Sequence, residues 1–154
     1  MKSIATLILT SLLALGATVA EAYSAVGTWT MNAEKSTSTG PSMKSQTRTY
    51  AVAADGTVTL SFTGVAADGS AVTGGATYKT DGKDYPITGS NDFDTVAVRK
   101  VNGSTTKFTL KKGGQVVGHG NRTVSAHGKV LTLNQTVKGA DGKPYTSKSV
   151  FDKQ

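Results

Sequence analysis

Apolar and polar residues alternate with a period of two along most of the chain after residue 25. Val58, Leu60 and Phe62 share one face of such a run, and threonines and a serine occupy the other face. A similar alternation runs through residues 129–138. A period of two is typical of half-buried β-strands, because successive side chains point to opposite faces of the sheet. We therefore predict strands, and no long helix, in this part of the chain.

Turn signals that contain glycine separate these runs, and each places a glycine where a tight hairpin requires positive φ. They are Asp55-Gly56, Asp68-Gly69, Asp81-Gly82, Asn102-Gly103, Gly113-Gly114, His127-Gly128 and Asp141-Gly142. The cues predict about eight or nine antiparallel strands. Strand-like runs lie near residues 26–33, 45–54, 57–66, 70–79, 83–89, 93–101, 104–111, 115–125, 129–138 and 145–152. The run 83–89 contains Pro86, so we expect only a short edge strand there.

The short connections favour a barrel. A meander of strands has two exposed edges, and closure into a barrel removes both of them. Eight strands of about ten residues leave an interior able to hold one small ligand. A two-sheet sandwich is the alternative, but it usually needs long crossing connections, and the one long connection here is 33–44. We predict an all-β, antiparallel up-and-down barrel.

The first 22 residues differ in composition from the rest. Lys2 gives a positive start, residues 4–16 are mostly apolar, and small residues follow at Ala20 and Ala22. This three-part pattern is typical of a signal peptide. A transmembrane anchor is the alternative, but the apolar run is shorter than the roughly 20 residues that span a bilayer. We predict cleavage after Ala22 and an exported protein, periplasmic or extracellular, without stable membrane insertion.

Composition and charge fit a single domain in residues 23–154. The chain has 154 residues, with 17 Lys+Arg and 10 Asp+Glu, and a formal net charge of +7. The basic residues are scattered, whereas nucleic-acid binding favours a basic stripe with interleaved aromatic residues. We expect no nucleic-acid partner. The lack of cysteine excludes disulfides, thiolate metal sites and a cysteine nucleophile.

Patterns for catalysis and metal binding are weak. His119 and His127 are the only histidines, and a metal site needs three or four converging ligands. There is no Gly-x-Ser-x-Gly nucleophile elbow, and most acidic residues lie in predicted turns, where carboxylates bind nearby backbone amides. We predict no enzymatic activity, no metal and no cofactor. Two carboxylates, or a histidine and a carboxylate, facing one cavity would favour an enzyme instead.

The first predicted strand carries Gly27-Thr28-Trp29. Gly-x-Trp on the opening strand of a short-turned antiparallel chain resembles the signature of the lipocalin (calycin) superfamily. The resemblance implies that Trp29 plugs the closed end of the barrel and that an arginine from a late strand lies across its ring. It also implies that Gly27 lets the backbone bend closely. Arg122 is the first choice for that arginine, and Arg99 is the second.

A longer pattern is similar to a group of small exported bacterial lipocalin-like proteins. It consists of Gly27-x-Trp29, Asn32, Lys35-Ser36, Gly40-Pro41, Ser45 to Tyr50, Asp81 to Pro86 and Phe151 to Gln154. The chain lacks the cysteine pair of many lipocalins. This resemblance implies a fold and a location outside the cytoplasm, and it implies no activity.

A candidate ligand site follows from two residues of one predicted strand. Arg48 and Tyr50 are two apart, so both side chains point to the same face. An arginine fork beside a tyrosine hydroxyl can hold a carboxylate in an apolar cup. The alternative is an outward arginine packed beside the tyrosine. The predicted ligand-binding residues are Arg48, Tyr50, Phe62, Tyr78, Tyr85, Phe93 and Arg99.

These observations predict an exported lipocalin-like barrel that binds a small apolar or amphipathic molecule non-covalently. The alternative is an interaction protein, such as an inhibitor of a secreted hydrolase, that contacts a protein partner through residues 23–26 and 33–44. An open interior would favour the first function, and an interior filled with apolar side chains would remove it.

Overall fold

The computed structural model describes residues 24–154, so the predicted signal peptide, residues 1–22, lies outside the described residues. Within 24–154, no helix meets the length and apolarity that a membrane crossing requires. The strands are β1 (Gly27–Met31), β2 (Thr37–Ser38), β3 (Met43–Val52), β4 (Val58–Ala66), β5 (Ala71–Tyr78), β6 (Asp81–Pro86), β7 (Thr95–Lys100), β8 (Thr105–Lys112), β9 (Gln115–Val124), β10 (Val130–Lys138) and β11 (Pro144–Lys153).

The strands form one antiparallel sheet that is almost closed into a barrel. Its order is β5-β4-β3-β1-β11-β10-β9-β8-β7-β6, with β2 paired to β11 off this path. The two end strands meet where Ala76 forms a bridge with Ile87, directly after β6. There the Thr88 amide donates to the Gly75 carbonyl at 3.0 Å, and the Gly75 amide donates to Thr88 Oγ1 at 3.1 Å. This junction is called the seam below.

Glycine allows the close approach at the seam. A Cβ atom at Gly74 would lie 2.3 Å from the carbonyl oxygen of Thr88 and 2.6 Å from the Cα atom of Gly89. Gly89 itself has a φ of 91°, which other residues rarely adopt. The two ends of the sheet can therefore meet because both backbones lack side chains at this point.

The predicted barrel is confirmed, but the predicted eight or nine strands are too few, because the sheet has eleven. The segment with Pro86 forms a full six-residue strand, β6. Pro86 is its last residue and pairs with Thr95, a position where a missing N–H is tolerated. The long connection 33–44 also contains β2, whose two residues pair with Ser147 and Lys148.

The glycine turns are largely as predicted. Positive φ occurs at Gly56, Gly69, Gly82, Gly113, Gly114, Gly128 and Gly142. Gly103 is absent from this set, and its turn depends on Asn102, whose Oδ1 accepts from the amides of Ser104 at 3.0 Å and Thr105 at 2.9 Å. Turn carboxylates act in the same way. The backbone hydrogen bond from Thr57 to Asp55 lowers the pKa of that carboxyl.

Trp29 is the largest of the fully buried side chains of the core. Its indole Nε1 donates to the carbonyl of Ala25 at 2.8 Å. A cation lies over the ring, since Lys153 Nζ is 5.3 Å from its centroid. Gly27, at φ 122°, leaves room for the Lys153 side chain, because a Cβ there would be 3.1 Å from Lys153 Cε. Lys153 thus supplies a cation over the indole that the sequence did not predict. The contact that the resemblance implies for Arg122 stays a prediction.

Candidate functional site

The barrel interior holds two connected spaces. The inner cavity has a volume of about 70 Å³, and the mouth cleft, which opens to solvent, has a volume of about 430 Å³. The side chains that line both spaces are Arg48, Ile87, Phe93, Leu133 and Gln135. The inner cavity is too small for a ligand on its own, since ligand sites usually enclose about 300–1,000 Å³. The two spaces together reach that range.

Arg48 is the central polar residue at the junction of the two spaces. It lies on β3 opposite Trp29 of β1 and Phe62 of β4, and only 9% of the residue is exposed. Its guanidinium carbon is 5.2 Å from the ring centroid of Phe62 and 5.7 Å from that of Phe151. The charge is therefore held between two aromatic faces, which attract a cation through their quadrupoles.

No carboxylate neutralises Arg48 within residues 24–154. Its Nε atom is buried without a hydrogen-bond partner in this range. The lining of the inner cavity contains Arg48 and Arg122 and no aspartate or glutamate. Buried charges are ordinarily paired, because taking an ion out of water is costly. Two buried guanidinium groups thus line the inner cavity, and its lining contains no carboxylate.

Aromatic and polar side chains form the floor of the inner cavity. Arg122 of β9 is 5% exposed, and its guanidinium carbon lies 4.9 Å from the ring centroid of Tyr50. Tyr78 of β5 and Thr106 of β8 are also buried and line the same space. Two tyrosines, one threonine and two arginines thus line one space, and hydroxyl and guanidinium groups are the donors that bind anionic head groups.

The mouth cleft has two walls of different character. One wall carries the apolar residues Phe62 of β4, Val72 of β5, and Ile87 and Phe93 between β6 and the start of β7. Ser90, Asn91 and Asp92 of the same connection also line the cleft. The facing wall consists of β10, β11 and part of β3. Its polar members are Gln46, Gln135, Ser147 and Ser149. The cleft can therefore hold a molecule with apolar and polar groups on different sides.

Asp92, at the rim of the cleft, connects the two walls through hydrogen bonds. Its Oδ2 accepts a hydrogen bond from the Tyr145 hydroxyl at 2.9 Å, and its Oδ1 accepts from the Ala140 amide at 3.0 Å. Partial burial raises the pKa of Tyr145, and the hydrogen bond to Asp92 raises it further. The phenol is therefore a neutral donor at ordinary pH, and it fixes the loop before β7 against the β10–β11 hairpin.

Five of the predicted ligand-binding residues face the interior. Arg48, Tyr50, Tyr78 and Phe93 line the inner cavity, and Phe62 lines the mouth cleft. Tyr85 does not line either space; it is half-buried, and its hydroxyl donates to Asp81 Oδ2 at 2.9 Å.

Arg99 is also outside the interior. It is exposed on the outer face of β7, in a groove beside Lys107. The inward positions of β7 are Val96 and Val98, so the next residue points outward. Arg99 therefore belongs neither to the ligand space nor to the surroundings of Trp29.

The polar wall was not among the predicted site residues. Gln135 follows Leu131 and Leu133 at a spacing of two, and Ser147 and Ser149 precede Phe151 at the same spacing. Alternation alone would have placed all three polar residues on the inward face. The described residues hold no group of three or more His, Cys, Asp or Glu side chains that could bind a metal ion.

Comparisons with known proteins show the fold and nothing finer. No family model matches the chain, and no curated protein matches it. Among solved structures, the wild-type fluorescent protein UnaG has 11% identity and a TM-score of 0.54, over 84% of this chain and 96% of UnaG. A zebrafish ileal bile acid-binding protein complexed with cholic acid has 13% identity and a TM-score of 0.48, over 85% of this chain and 99% of that protein. The likeness to UnaG shows the fold, an all-β, antiparallel and nearly closed barrel.

Proposed function

We propose that this protein binds a small amphipathic organic anion non-covalently inside the barrel. The acid group of the ligand occupies the inner cavity beside Arg48, and the apolar body lies in the mouth cleft against Phe62 and Phe93. The role is one of binding, without chemical conversion of the ligand. This proposal deepens the sequence-based prediction of a small apolar or amphipathic ligand by assigning the ligand a negative charge.

The observation that carries the proposal is the buried, unneutralised guanidinium of Arg48. A charge that is buried in an apolar interior without a counter-ion costs several kcal/mol, because the ion loses its hydration. A carboxylate or sulfonate in the inner cavity would remove that cost, and it could accept two parallel hydrogen bonds from the guanidinium. The ligand-free site is therefore organised for an anion.

The volumes of the two spaces support the same arrangement. The inner cavity, at about 70 Å³, has room for little more than a head group, whereas the mouth cleft, at about 430 Å³, has room for a larger body. Because Arg48 lines both spaces, an anion beside it stays connected to a body in the cleft.

Two dyes that differ in charge test this function. The probes are 8-anilinonaphthalene-1-sulfonate, which is anionic, and N-phenyl-1-naphthylamine, its neutral relative without the sulfonate. We expect Arg48→Met to weaken binding of the anionic dye about 10- to 100-fold, the amount given by a hydrogen bond to a charged group. Binding of the neutral dye should change little. Fluorescence titration of both dyes gives the two dissociation constants.

Arg99→Met is the matched control, since it removes the same charge from the outer face, and it should leave both titrations within about twofold of the parent protein. Circular dichroism confirms that each variant remains folded. The proposal would be contradicted if Arg48→Met weakened the binding of both dyes equally. It would also be contradicted if Arg48→Met left the affinity for the anionic dye unchanged.

We also propose that the protein acts outside the cytoplasm after removal of residues 1–22. Support comes from the sequence pattern of that segment, which has a positive start, an apolar run and small residues at Ala20 and Ala22. Intact mass of the full-length gene product, expressed in a bacterium and fractionated, should show the shortened chain in the periplasm. Uncleaved protein in the cytoplasmic fraction would exclude this location.

A further inference from the structure

The pairing of β10 with β11 places the residues of the polar wall side by side. Gln135 of β10 pairs with Ser147 of β11, and Leu133 pairs with Ser149. Leu133 and Gln135 line both interior spaces, and Ser147 and Ser149 line the cleft. On the inward face of this hairpin, the amide and hydroxyl groups therefore lie between apolar residues, with Leu131 and Phe151 on one side and Val137 and Tyr145 on the other.

These side chains have unused hydrogen-bonding capacity. Within residues 24–154, the side-chain amide of Gln135 and the hydroxyls of Ser147 and Ser149 make no hydrogen bond to protein, and the same holds for the amide of Gln46. Each group faces the cleft and can be satisfied by water in the ligand-free protein. A purely apolar body would displace that water without replacing its hydrogen bonds, which lowers affinity.

The facing wall sets a different requirement. Phe62, Val72, Ile87 and Phe93 offer only apolar surface to the cleft, and they gain from contact with hydrocarbon. A ligand that satisfies both walls has an apolar side and a hydrogen-bonding side. A simple saturated chain satisfies only one of them.

The position of the polar groups relative to the anion site can be read from β11. Phe151, beside Arg48, is followed toward the mouth by Ser149 and then Ser147 on the same face. Two and four residues of extended strand span about 7 and 13 Å. The complementary groups of the ligand should therefore lie at about these distances from its acid group.

We infer that the ligand class is a hydroxylated amphipathic acid, with its hydroxyl or equivalent polar groups in the middle of the molecule, bound by Gln135, Ser147 and Ser149. This inference rests on the proposed function, because it assumes that the acid group lies at Arg48. It goes further by distinguishing this class from unsubstituted fatty acids of the same length.

Octadecanoate and 10-hydroxyoctadecanoate, which differ by one mid-chain hydroxyl, are suitable probes. Displacement of the anionic dye from the folded protein gives the affinity of each acid. We expect the hydroxy acid to bind about 3- to 10-fold more tightly, the gain of one net hydrogen bond. In Gln135→Leu, the two acids should bind within about twofold of each other, because leucine has a similar size and no amide.

Ser149→Ala provides a second, smaller change if Gln135→Leu disturbs folding, and it should reduce the preference in the same direction. Gln115→Leu, at the exposed start of β9, is the matched control and should keep the full preference. If both acids bind the parent protein equally and Arg48→Met weakens both, the proposed function stands and this inference is wrong. If neither acid displaces the dye, both are wrong.

Discussion

Replacement of Trp29 by alanine is expected to destabilise the barrel by about 3–5 kcal/mol, the usual loss for a buried tryptophan. The ring is fully buried, its Nε1 is bonded to Ala25, and Lys153 lies over its face. The loss is large beside a typical total stability of about 5–15 kcal/mol. Urea unfolding, followed by circular dichroism, measures the change.

Trp29→Phe keeps a ring in the core but loses the hydrogen bond to Ala25, so its cost should be intermediate. Val116→Ala, at a residue that is 63% exposed, is the control and should change stability by less than about 0.5 kcal/mol. A Trp29→Ala protein with an unfolding midpoint close to that of the control would show that the indole does not hold this end of the barrel together.

Arg48→Met should instead raise the free energy of unfolding of the ligand-free protein, by about 1–3 kcal/mol. Methionine fills the space between Phe62 and Phe151 with an apolar side chain and removes a buried charge that has no counter-ion among the described residues. The lost contacts with the two rings offset part of the gain. Chemical unfolding without ligand, at two salt concentrations, measures the effect.

The comparison with Arg99→Met shows whether a change in stability comes from removing a buried charge or from the change in net charge alone. That variant removes one positive charge from an exposed position and should alter stability by less than about 0.5 kcal/mol. An Arg48→Met protein that is clearly less stable than the parent would mean that the guanidinium contributes to folding, which would remove the main argument for a bound anion. Stability gained together with lost anion affinity would mark Arg48 as kept for function.

The barrel could be predicted from sequence because its two determinants are local. Alternation at Val58, Leu60 and Phe62 specifies strands with one inward face, and the glycine turns limit the connections to hairpins. β2 escaped prediction because two residues carry no period, and its pairing with β11 depends on the path of the 33–44 connection.

The site was predictable only in part, for a related reason. Arg48 and Tyr50 are two residues apart on one strand, and this spacing was enough to predict that both side chains point to the same face. Arg99 was misplaced because its side-chain chemistry was given more weight than the alternation set by Val96 and Val98. The contact of Lys153 with Trp29 could not be foreseen, since the position of Lys153 over the ring depends on the register between β1 and β11.

The seam is the part of the barrel wall with few hydrogen bonds between neighbouring strands. Long ladders such as β3–β4 and β10–β11 hold the rest of the wall, whereas β5 is joined across the seam by the bridge from Ala76 to Ile87 and by three hydrogen bonds between Gly75 and Thr88. Parting the wall at this joint breaks fewer hydrogen bonds than parting it along a ladder, and the elements with the fewest such bonds open at the lowest free energy. The wall can therefore separate at the seam at a lower cost in hydrogen bonds than along a long ladder, as far as the connection through Lys79 and Thr80 that joins β5 to β6.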